Sequence, residues 1–147
     1  MTNGDRSLGV VVVTHGQLAS ELLNAAEMIV GDLPGFAAVS IGWQDPVDSA
    51  REAIERAIAR VDRGAGVLLL TDMFGGTPAN LGLTFLEAGR IELVTGVNLP
   101  MLIKLAKAPE PGDLHALARG LCDHGRAAIR VASDLLRAEP DGTSHEG

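Results

Sequence analysis

Leu8-Gly9-Val10-Val11-Val12-Val13-Thr14-His15-Gly16 is the stretch from which the fold can be read. Four consecutive valines behind a glycine suit a strand buried on both faces, as in a parallel sheet covered by helices on each side. The run stops at Thr14-His15-Gly16. Apolar residues then recur at helical spacing (Leu18, Leu22, Ala25, Ala26, Ile29), with Gly31 placed to end the helix.

The same alternation continues outward. Phe36 to Ile41 reads as a second strand closed by Gly42. Asp45 is the expected N-cap of the next helix, with Pro46 first inside it and Asp48 in its first turn. Ala50, Ala53, Ile54, Ala57, Ile58 and Val61 form that helix's buried stripe. Gly64 to Gly66 breaks it, and Val67-Leu68-Leu69-Leu70 is the third strand. Thr77-Pro78 repeats the cap-then-proline signal for a helix through about Glu87. Ile91 to Thr95 is a fourth strand, followed by a short helix from Asn98 to Lys107 with Pro100 in its first turn. Pro109, Pro111 and Gly112 form a loop, and Asp113 caps a helix carrying Leu114, Leu117, Ala118 and Leu121.

Two readings stay open at the end. Gly125 stops the helix and leaves Ile129 and Val131 alternating in a short strand, or helix resumes through Ser133-Asp134-Leu135-Leu136. Local pattern favours helix for residues 132–137. The expected organisation is a short tail (1–7), one domain (8–137) and a polar tail (138–147). Its class is α/β, a doubly wound, mainly parallel sheet of about four strands with helices on both faces.

Composition agrees with a globular domain. The 147 residues are 46% apolar and 21% charged, but only 3% aromatic with no tyrosine, so the core is built from Ala, Val, Leu and Ile. A net charge of −7 argues against nucleic acid and suits docking to a basic surface. Cys122 is the sole cysteine, so no internal disulfide can form. No secretory signal or bilayer-length apolar run is present, and the expected location is cytoplasmic.

The chemistry concentrates where strands end. Right-handed crossovers put the loops after the first and third strands on one edge, and ligands sit outside the carboxyl ends of such strands. His15 and Asp72 both fall there. His15 at a strand-to-helix turn can act as base, ligand or nucleophile, or simply cap a backbone group. Asp72 can orient one imidazole nitrogen and aim the other outward, or cap the turn at Met73-Phe74. Gly75-Gly76-Thr77 offers backbone N–H groups and a hydroxyl that suit a phosphoryl group. No GxxxxGK[ST] loop, metal-ligand spacing or GxSxG elbow is present, so neither metal nor cofactor is implied. His115, His124 and His145 read as surface residues, and Trp43 either lines the same edge or anchors its loop.

Three segments together resemble the mannose-family enzyme IIA, the phosphocarrier of the bacterial phosphoenolpyruvate-dependent sugar phosphotransferase system. They are Val12-Val13-Thr14-His15-Gly16-Gln17-Leu18-Ala19 with Leu22-Leu23, Thr71-Asp72-Met73-Phe74-Gly75-Gly76-Thr77-Pro78-Ala79-Asn80, and Thr95-Gly96-Val97-Asn98-Leu99-Pro100-Met101-Leu102. The resemblance covers roughly residues 8–133. It implies that His15 takes a phosphoryl group from phospho-HPr on Nε2 and passes it to a separate IIB protein. Asp72 would pair with the imidazole, and Thr14, Gly75, Gly76, Thr77 and Asn98 would surround the phosphate. It also implies a homodimer that exchanges a short C-terminal strand, shifting residues 127–132 towards strand.

The readings weighed against this are a regulatory module controlled by phosphorylation, the phosphocarrier feeding a dihydroxyacetone kinase, and a purely structural domain. The run Asp72 to Pro78 favours the mannose type over the kinase carrier. Three polar clusters on one edge disfavour a structural domain.

Overall fold

The computed structural model describes residues 7–107 and 112–137. Strands and helices alternate as β1 (Gly9–His15), α1 (Leu18–Val30), β2 (Phe36–Ile41), α2 (Val47–Val61), β3 (Val67–Thr71), α3 (Gly76–Leu83) and β4 (Ile91–Thr95). Helices α4 (Leu99–Ala106), α5 (Leu114–Ala127) and α6 (Ala132–Leu136) follow. The four strands form one parallel sheet in the order β2-β1-β3-β4.

Successive strand residues face opposite sides of the sheet, and this sorts the core into two layers. Val11, Val13, Val67 and Leu69 pack beneath Ile54, Ile58 and Val61 of α2 and Leu81 of α3. Val10, Val12, Leu68 and Leu70 pack against Ala19 and Ala26 of α1, Met101, Leu102 and Leu105 of α4, and Ala118 and Leu121 of α5. The continuous burial of β1 up to Thr14 is thus the consequence of helices on both faces. Gly9 admits the end of α2 closely, since a Cβ there would lie 2.5 Å from the Val61 carbonyl oxygen.

Strand order sets the place of the site. The chain leaves β1 sideways to β2, then returns across the sheet to β3 on β1's other side. The connections diverge between β1 and β3, and a crevice opens beyond the carboxyl ends of those two strands. His15 ends β1 and Asp72 follows β3 directly.

Several local expectations need correction. Asp45 does not cap α2: Pro46 is the N-cap, and Asp45 Oδ2 instead accepts a 2.6 Å bond from the Gly42 N–H, closing the turn after β2. Helix α3 begins at Gly76, so Thr77 and Pro78 lie inside its first turn and Gly75 is the cap. It also stops at Leu83, well before Glu87. There the Thr84 hydroxyl donates to the Leu81 carbonyl at 2.6 Å, and Glu87 bridges to Ile91.

At the other end α5 runs through Gly125 to Ala127. Residues 128–131 pair with no strand among the described residues, and α6 supplies the helix that local pattern favoured over 132–137. The strand expected over 127–132 is therefore not formed within the single chain. Residues 1–6, the prolines of the 108–111 loop and the polar tail 138–147 lie outside the described residues.

Candidate functional site

His15 is the last residue of β1. Its side chain is half exposed (49%) beside an Asp72 side chain that is mostly buried (16%). The Nδ1–H donates to Asp72 Oδ2 at 2.8 Å, and the His15 backbone N–H donates to the same oxygen at 3.2 Å. A carboxylate oxygen only accepts, so this contact places a ring hydrogen on Nδ1, and in the neutral ring the lone pair is then on Nε2. The double contact holds both the ring and the strand end to one atom.

The other carboxylate oxygen, Asp72 Oδ1, is buried with no hydrogen-bond partner among the described residues. Leaving such a group unsatisfied costs about 1–3 kcal/mol. A ring that becomes cationic when Nε2 is substituted is stabilised by this arrangement.

Nε2 faces the start of α3. A Cβ placed on Gly76 would come within 2.9 Å of Nε2 and 3.0 Å of Cε1, and Gly76 also has φ of +82°. Both facts require glycine: one for the backbone conformation and one for the space over the imidazole. Gly75 precedes it at φ of +99°, with no side chain capping the helix. The first N–H groups of α3 thus have no intrahelical acceptor and lie beside the imidazole, a disposition that favours an anion. Thr77 is exposed in the same turn.

Two other expected residues are placed differently. Thr14 is fully buried, and its Oγ1 accepts a 2.7 Å bond from the Ala19 N–H, fastening the first turn of α1. Asn98 caps α4: Oδ1 accepts from the Met101 N–H at 3.1 Å while Nδ2 donates to the Gly125 carbonyl at 3.1 Å. Asn98 lies at the same edge but beyond β4, two strands from β1. The structure brings His15, Asp72 and Gly76 together; Thr14 and Asn98 have side chains engaged in holding helices.

His115 and His124 are exposed on α5, and His145 is outside the described residues. The sequence reading passed over the backbone N–H of His15 as an anchor for Asp72. It also gave no separate weight to Met73 and Phe74, whose exposed side chains directly follow Asp72 in the turn. Two large apolar residues between an aspartate and a glycine pair, in a turn, were the available signal. Among the described residues no three His, Cys, Asp or Glu come together to hold a metal, and no helix is long and apolar enough to cross a membrane.

Comparison with known proteins points the same way. Residues 9–120 match the EIIA-man family model, described as "PTS system fructose IIA component". The mannose-specific EIIAB component of Escherichia coli (strain K12) is 33% identical over 144 residues, covering 91% of this chain and 41% of that protein. The chain therefore spans about two fifths of the length of that relative. The fructose-specific EIIA component of Bacillus subtilis is 28% identical over 130 residues, 88% of this chain and 89% of that one. Among solved structures, the mannose/sorbose-specific IIA subunit from Enterococcus faecalis superposes with a TM-score of 0.69 at 32% identity, over 85% of this chain and 94% of that chain.

Proposed function

The chain belongs to the EIIA-man family of sugar phosphotransferase system components, and from that premise we propose that it is a phosphocarrier with His15 as its phosphoryl acceptor. The observation that carries this reading is the His15–Asp72 pair. With Nδ1 tied to the carboxylate at 2.8 Å, only Nε2 presents a lone pair to an incoming phosphorus.

In the forward step that lone pair attacks the phosphorus of phospho-HPr. The Nε2–P bond forms as the donor's N–P bond breaks, and the donor's ring nitrogen keeps the electron pair. The second step repeats this with a separate IIB protein as acceptor. Asp72 orients the ring and offsets its positive charge while the phosphoryl group is attached. Gly75, Gly76 and Thr77 supply backbone donors and a hydroxyl to the phosphoryl oxygens, while Thr14 and Asn98 hold the surrounding helices.

Fixed dipoles suit a carrier, because the phosphoryl group must be aligned yet released. No cofactor enters the scheme, and the working compartment is the cytoplasm. A homodimer belongs to the same reading, with residues 128–131 supplying a strand to a second copy. Ile129 and Val131 stand exposed in that segment, and β4 lies at an edge of the sheet.

A regulatory module would share this chemistry and differ in releasing no phosphate to a IIB protein. Incubation with phosphoenolpyruvate, enzyme I and HPr, read by intact mass, tests the reading. Wild type is expected to gain one acid-labile, base-stable phosphate that His15→Ala lacks. Equal labelling of His15→Ala would overturn it.

A further inference from the structure

Trp43 stands almost wholly in solvent, 96% exposed. Of the two roles open to it in the sequence, loop anchor or edge lining, this leaves the second. Its place beside the acceptor is fixed by the sheet. His15 is opposite Ile41 in the β1–β2 ladder, the Gly16 N–H donates to the Ile41 carbonyl at 2.8 Å, and Trp43 follows two residues on.

Other apolar side chains share this edge. Leu18 opens α1, Val47 opens α2, and Met73 and Phe74 fill the turn between β3 and α3; all four are exposed, Phe74 by 74%. Exposed apolar side chains in the turns and helix starts of one sheet edge mark an interaction surface, and tryptophan is among the side chains most often found to dominate one.

Charge specifies the partner. The segments that build the edge, residues 14–21, 42–50, 71–80 and 95–101, contain Glu21, Asp45, Asp48 and Asp72 and no lysine or arginine. Asp72 is bonded to His15 and Asp45 to Gly42, while Glu21 and Asp48 stand exposed in the first turns of α1 and α2. An anionic rim attracts a basic surface and raises its encounter rate.

We propose that Trp43 anchors the phosphohistidine donor protein, whose matching face is apolar at its centre and carries lysine or arginine at its rim. This rests on the phosphocarrier reading and adds to it the docking residue.

Trp43 is the sole tryptophan and there is no tyrosine, so intrinsic fluorescence reports on this one side chain. Titration of the full chain with a tryptophan-free HPr should shift or quench the emission saturably; unchanged emission at concentrations that saturate transfer overturns the proposal. In steady-state transfer, Trp43→Ala should raise KM for phospho-HPr about tenfold or more while kcat stays within about twofold. Trp43→Phe should recover most of the loss. A wild-type KM in Trp43→Ala overturns the assignment.

Phosphoramidate, a small phosphodonor, separates docking from damage to the site, and it should label His15 of Trp43→Ala at the wild-type rate. A loss with both donors would show that Trp43 shapes the site itself, against the proposal. If wild type accepts phosphate from neither donor, the phosphocarrier reading fails and the docking role falls with it. If wild type is labelled by both and Trp43→Ala behaves identically, docking alone is refuted.

Discussion

Asp72 Oδ2 accepts from both the backbone and the ring of His15, so one atom fixes the position of the imidazole and puts a hydrogen on its Nδ1. Asp72→Asn keeps the size but removes the charge that opposes a cationic phosphoimidazole. It is expected to slow phosphoryl transfer by roughly tenfold to a hundredfold without unfolding the chain. Rapid-quench kinetics checks this, and wild-type rates would reduce Asp72 to a turn cap. At Gly76 steric and conformational demands coincide, with a Cβ lying 2.9 Å from Nε2 on a backbone with φ of +82°. Gly76→Ala should therefore cut phosphorylation about a hundredfold by displacing either the ring or the loop. Circular dichroism should show a folded protein; full activity would mean that the ring leaves this position before it reacts.

Among the elements, β1 through β4 and the helices between them were legible because their signals are local. The valine run of β1 and the stripe of α2 state their periods without help from the rest of the chain. Helix starts were less legible. Asp45 and Thr77 both carry cap chemistry, yet Asp45 is drawn back to the Gly42 N–H, and the Gly75-Gly76 turn lets α3 begin before Thr77. Asn98 shows the same ambiguity at the site. Its type and place suited a phosphate, but both ends of its amide are bonded to Met101 and Gly125. Asn98→Ala should cost about 1–2 kcal/mol of stability, for one lost cap and one lost tether. It should change phosphorylation of the folded protein little, as denaturant melts alongside labelling would show. A loss of labelling at unchanged stability would return Asn98 to the phosphate. The pairing of His15 with Asp72, 57 residues apart, lies in no local pattern; it was legible through the handedness of the crossovers, which sets both at one sheet edge, and the strand order β2-β1-β3-β4 brings it about.

For the whole molecule, His15 stands on an open edge that larger partners can approach, and the net charge of −7 favours basic ones. The C-terminal arm is the part that a single chain leaves unfinished: Ile129, Val131, Leu135 and Leu136 are all exposed. Sequence alone could not decide between strand and helix for it, because strand pairing there needs an edge that residues 128–131 do not meet within the chain. If that edge belongs to a second copy, deletion of residues 128–147 should turn a dimer into a monomer in sedimentation velocity. An unchanged mass would place the dimer contact elsewhere or remove it.

The central claim is that phosphate resides on Nε2 of His15 while Nδ1 stays bonded to Asp72. The most direct test is a long-range proton–nitrogen correlation spectrum of the phosphorylated, nitrogen-labelled protein, which separates the two ring nitrogens of each histidine. The account predicts phosphorus coupling at Nε2 of His15 alone, with the Nδ1 hydrogen retained and His115, His124 and His145 unchanged. Phosphorus coupling at Nδ1 of His15, or at any other histidine, would contradict it.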